Sequence, residues 1–159
     1  MTIKILCVGR LKERFYTDAA AEFIKRLSRY AVVELVEVPD EKAPETLSAA
    51  LRAQVISAEG ARLLERIGES EYTVALAIEG KKMGSPQLAS VLEGLMTDGK
   101  SRFTFVIGGS LGLSPQVMAR ADMALSFSDM TFSHQIFRIM LLEQLYRSFK
   151  IINNEPYHK

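Results

Sequence analysis

The chain is poor in the residues that staple small folds together. Its 159 residues hold one cysteine, Cys7, so no disulfide can close within it. With two histidines beside that cysteine, a closed structural zinc site lacks ligands, and no metal is expected. No apolar run approaches the roughly 18 residues that cross a bilayer. The opening segment, MTIKILCVGRLKER, shows none of the three regions of a secretory leader and reads instead as a first strand. A reduced, cytoplasmic protein without a membrane partner is expected. GGSLG at 108–112 is neither G-x-G-x-x-G nor a phosphate loop ending in Gly-Lys-Ser/Thr. No serine or cysteine hydrolase is expected, and Cys7 reads as core. A net charge of +1 makes no general case for nucleic acid.

Charge is nevertheless uneven. Residues 1–30 carry seven Lys/Arg against three Asp/Glu, and residues 31–79 carry four against ten. Residues 134–159 turn basic again and hold both histidines. Such a division gives two polar faces, one suited to a polyanion.

What the sequence has in quantity is alternation. Short apolar runs at Ile3–Val8, Val32–Val38, Tyr72–Ile78, Phe103–Ile107 and Met123–Phe127 read as strands. Between them lie helical patterns over Glu13–Tyr30, with Phe15, Ala19, Phe23, Leu27 and Tyr30 on one stripe, and over Glu45–Ile67. Further helices start at Ser85-Pro86 and at Ser114-Pro115, and Gly80–Gly84 reads as a loop. A long helix from Ser133 to about Ile152 is apolar on more than one face, which calls for a partner and predicts a dimer. The whole implies one α/β domain over residues 1–159, with a mainly parallel sheet of about five strands and helices on both faces.

The stretch from Phe103 to His134 carries most of the chemistry. A buried strand breaks at Gly108-Gly109, with Gly112 close behind, and a short helix, a strand and the polar hinge Ser128-Asp129-Met130-Thr131 follow. This order places a small ligand at strand carboxyl ends. His134 and Arg138 are one helical turn apart, so both can face one pocket. Tyr157, His158 and Lys159 close the chain as a free end or a polar clamp.

FVIGGSLGL, LSFSDMTFSHQ, FRIMLLEQLYR and the closing YHK, with VGRLKE and VPDEKAP upstream, resemble the RlmH family of ribosomal RNA methyltransferases over the whole chain. One departure is Ser133, where the family has proline; serine is a good N-cap, so the helix start is expected to survive. The resemblance implies a SPOUT-type α/β fold with a C-terminal trefoil knot and a homodimer. It implies S-adenosylmethionine as cofactor and N3 of a pseudouridine in 23S rRNA of the assembled ribosome as target. It places the cofactor on Leu76, Gly108, Phe127, Ser128, Asp129, Met130, Thr131 and Phe132. It points to His134, Tyr157 and His158 for proton handling, to Arg147 and Lys159 for phosphate contacts, and to Glu143 for the orienting of an arginine; Arg138, one turn from His134, is expected to join the phosphate contacts. Two alternatives stand beside it: a non-catalytic ribosome-associated dimer of the same fold, and a doubly wound nucleotide-binding metabolic enzyme.

Overall fold

The computed structural model describes residues 1–158. Five strands, β1 (Thr2–Val8), β2 (Val32–Val38), β3 (Tyr72–Lys82), β4 (Arg102–Ile107) and β5 (Met123–Ser126), form one sheet in the order β2-β1-β4-β3-β5. Every pairing is parallel, so each connection between strands must cross over a face of the sheet. The crossovers are α1 (Arg14–Leu27), α2 (Ala49–Leu64), α3 (Ser85–Thr97) and α4 (Pro115–Arg120); α5 (His134–Ile152) ends the fold.

Strand alternation divides the core. Ile3, Ile5 and Cys7 of β1 and Phe103, Phe105 and Ile107 of β4 pack on one face with Leu27 of α1, Leu92 of α3 and Leu141, Leu142 and Leu145 of α5. Leu6, Val8 and Val106 point the other way, against Leu63 of α2 and Val117 of α4. The helix α5 lies between α1 and α3. Cys7 is fully buried between β2 and β4, in register with Glu37 and Ile107, and burial pushes its thiol up to about 12. It is core.

Three local expectations are corrected. The strand β3 runs on through Gly80 to Lys82 instead of ending in a loop. After a register shift between Leu76 and Lys81 it pairs again with Leu125 and Ser126 of β5, and a Cβ on Gly80 would lie 2.7 Å from the Leu125 backbone. The helix expected over Glu45–Ile67 begins at Ala49, where the Ser48 hydroxyl accepts from the amide of Leu51, and ends at Leu64. Phe15, expected on the packed stripe of α1, is 63% exposed, because that stripe starts at Ala20 and continues through Phe23, Ile24 and Leu27. The chain turns after α5 through Asn153 and Asn154, the latter left-handed at φ 52°, two residues before Pro156.

Candidate active site

The carboxyl ends of β3, β4 and β5 open on a cavity of about 600 Å³, a size suited to one small ligand. Its floor is apolar: Leu76, Ile107 and Leu125 supply it from three strands. One wall is the glycine turn. Gly109 and Gly112 bridge, with the Gly112 amide donating to the Gly109 carbonyl at 3.1 Å, and Gly112 sits at φ 88°. A Cβ on Gly108 would lie 2.7 Å from the Gly112 carbonyl oxygen, so the turn closes only on a bare backbone. The opposite wall is the loop from Phe127 to Ser133, ordered by the Ser128 hydroxyl, which accepts from the amide of Met130 at 3.0 Å. Phe127 and Phe132 pack against Phe137 at 4.9 and 6.3 Å.

Leu76, Gly108, Phe127, Ser128, Met130, Thr131 and Phe132 thus meet around one cavity, and His134 joins them at its rim. Asp129 does not line it: the side chain is 77% exposed and pairs with Lys82 on the extended end of β3. Ser133 caps α5, its hydroxyl accepting from the Gln135 amide at 3.3 Å, so the helix starts without proline. Burial pushes the His134 imidazole below its ordinary pKa, helped by the positive charges of Arg138 and Lys12 against the opposing pull of Asp40. The ring is therefore neutral near pH 7 and able to take a proton.

Arg138 is not a phosphate contact. It is 0% exposed. Its guanidinium donates to the Val8 and Gly9 carbonyls, both at 2.9 Å, and to Glu37 Oε1 at 2.7 Å. Every one of those bonds is made inside the chain, where no nucleic acid reaches. Arg147 lies at the other end of α5. Glu143 accepts from its Nη2 at 2.5 Å and from the Tyr157 hydroxyl at 3.1 Å. The guanidinium stacks 4.7 Å over the Tyr157 ring and lies 3.3 Å from Nδ1 of His158. Burial and the bond to Glu143 hold the Tyr157 phenol above its usual pKa, so it stays protonated. Lys159 lies outside the described residues. From His134 to Arg147 is thirteen helical residues, about 20 Å along the axis, so one chain does not bring the tail to its own pocket.

One feature carried no clear sequence signal. Glu59 of α2 is buried behind the glycine turn. A Cβ on Gly109 would sit 2.7 Å from its Oε2, its Oε1 accepts from the amide of Glu41, and burial raises its pKa. Only an acid within an apolar helical stripe hints at it. Gly108, Ser110 and Gly112 also spell G-x-S-x-G, which bears on the expectation of no hydrolase. Among the described residues Ser110 has no hydrogen bond to a histidine, and α4 starts only at Pro115, so the nucleophile elbow is not built.

Fold and pocket together define an α/β protein with a cavity sized for a small ligand at the carboxyl ends of a parallel sheet. Residues 1–158 match the family described as "Predicted SPOUT methyltransferase", and the chain belongs to that family. It is 54% identical over 159 residues, the full length of both, to "Ribosomal RNA large subunit methyltransferase H" of Bacillus cytotoxicus, and 53% identical over the same span to the protein so named from Bacillus anthracis. The fold is similar to that of a probable methylase family protein from Haemophilus influenzae, at a TM-score of 0.57 and 13% identity, over 99% of this chain and 70% of the other. It is similar also to the tRNA (m1G37) methyltransferase from Aquifex aeolicus, at a TM-score of 0.53 and 14% identity, over 92% and 70%. Family membership sets aside the metabolic-enzyme alternative. No helix among the described residues is long and apolar enough to cross a membrane.

Proposed function

We propose that the protein methylates N3 of a pseudouridine in 23S rRNA of the assembled ribosome, using S-adenosylmethionine, as a homodimer with the C-terminal trefoil knot that its family resemblance implies. The observation that carries this reading is the convergence of Leu76, Gly108 and the 127–132 loop, from three separate stretches, on one cavity. The cavity fits the cofactor: its volume suits a bent nucleoside, Leu76 and Leu125 offer an apolar seat, and the bare turn at 108–112 exposes backbone donors and acceptors. When bound, the cofactor supplies an electrophilic methyl group, so the chain's own task is alignment and proton removal.

His134 is the general base in this reading. It stands at the pocket rim and is neutral near pH 7, as the task of accepting the N3 proton requires. Tyr157 and His158 reach the reacting base from the partner subunit, because the tail lies at the far end of its own α5. Glu143 orients Arg147, and Arg147 and Lys159 take phosphates. The dimer is supported by an apolar groove of about 510 Å³ between α3 and α5, lined by Leu88, Ile136, Ile139 and Met140.

The test is methyl transfer to intact ribosomes that lack the mark, followed across pH. The parent rate is expected to hold as pH falls to the ordinary histidine value of about 6.5 and to drop only below it, because the folded pKa is depressed. His134→Asn is expected to remove that acid limb and to lower the rate by roughly a hundredfold. Ribosomes left unmethylated by the parent protein overturn the reading.

A further inference from the structure

Residues 10–16, the end of the connection from β1 and the first turn of α1, enter none of the roles above beyond the charge of Lys12 on His134. Arg10, Lys12 and Arg14 are exposed, with Glu13 the one carboxylate among them. Among the described residues neither Arg10 nor Lys12 has an ion pair, and Arg14 has only the exposed Asp18 at 3.5 Å. Phe15 follows directly, 63% exposed, with its ring 4.3 Å from that of Tyr16. An exposed phenylalanine beside three cations is poor design for a solvent-facing helix start.

This limb is not loose. The Leu11 amide donates to Glu37 Oε1 at 2.9 Å, the same oxygen that accepts from the buried Arg138 guanidinium. The Lys12 amide donates to Gln135 Oε1 at 3.3 Å. Gly9 packs against His134, whose Nε2 would lie 3.5 Å from a Cβ placed there. The chain therefore fixes its cationic, aromatic limb to the first turn of α5, at the rim of the pocket.

We propose that residues 10–16 are a further contact surface for the RNA substrate, in which Arg10 and Lys12 take backbone phosphates and Phe15 stacks on an unpaired base. The chemistry matches single-stranded RNA, which combines a phosphate backbone with bases free to stack. A limb-to-limb contact with a second copy would set like charges together, whereas a phosphate backbone meets them with opposite charge. The proposal rests on the ribosomal RNA reading and adds to it a surface and its ligand class.

The experiment compares Arg10→Ala/Lys12→Ala and Phe15→Ser with the parent, using intact ribosomes that lack the mark. Initial rates are taken against ribosome concentration at two salt concentrations, with calorimetry for S-adenosylmethionine and light scattering for mass. The double variant is expected to raise KM for ribosomes about tenfold, leave kcat within about twofold, and make the log–log salt slope shallower by about 1 to 2. Phe15→Ser is expected to raise KM several-fold and Phe15→Trp to restore it, with cofactor affinity and mass unchanged throughout. An unchanged KM and salt slope overturns the proposal while leaving the ribosomal RNA reading in place. A fall in mass with Phe15→Ser overturns it too, by making Phe15 a subunit contact. A parent protein inactive on ribosomes removes the underlying reading, and the proposal with it.

Discussion

At Gly108 a side chain would have to displace protein before it met any ligand. Its Cβ direction points at the Gly112 carbonyl and the Leu113 side chain, at 2.7 and 3.1 Å. A branched residue there forces the whole turn outward. Gly108→Val is expected to weaken S-adenosylmethionine binding beyond calorimetric detection and to cost about 1–3 kcal/mol of stability, the range for overpacking. Denaturant unfolding read beside calorimetry checks both; a variant of parental stability that binds normally would show that the turn tolerates the branch. The glycines were legible as a turn from their spacing alone. That Gly108 closes against the turn's own backbone was not, because the contact depends on Gly112 returning at positive φ. Arg138 misled for a related reason: helical spacing gives the face of a side chain, not whether neighbouring carbonyls will claim it.

The elements themselves were readable where burial was simple. The strands β1, β2 and β4, covered on both faces or bounded by clear turns, lie within a residue of the apolar runs that signal them. The far end of β3 was hidden because its pairing resumes after an irregular step, through Gly80 and two lysines that look like loop. At this scale Arg138 is a clamp: one side chain of α5 ties the ends of β1 and β2. Arg138→Met keeps most of the volume but strands two carbonyls and the Glu37 carboxylate. It is expected to cost about 3 kcal/mol, as removing one member of a buried pair does. Thermal or urea unfolding measures it, and a loss under about 1 kcal/mol would mean that water replaces the guanidinium.

For the whole molecule the tail is the informative part. Glu155 fixes it to the body through Lys150 at 2.6 Å, Tyr30 at 2.7 Å and Arg29 at 3.2 Å, all upstream of Tyr157. Deleting residues 157–159 is therefore expected to spare stability, mass and cofactor affinity while lowering methyl transfer to ribosomes roughly a hundredfold. Mixing that truncated chain with His134→Asn separates the two ways of building the site. If each tail serves its partner, the mixed dimer regains one intact site and activity returns; if each serves its own pocket, nothing returns. No sequence pattern reveals that division, since it depends on how two copies meet.

The buried thiol of Cys7 gives this chain a clock. A thiol reagent reacts with the thiolate, and this cysteine is fully enclosed on an inner strand of the sheet with its ionisation suppressed. The chain contains no other sulfhydryl to compete. Labelling must wait for the helices that cover this face of the sheet to lift from it. Its rate in native buffer therefore follows the opening of this packed face, and the same rate, taken with cofactor or ribosome present, reports how far each holds the molecule shut.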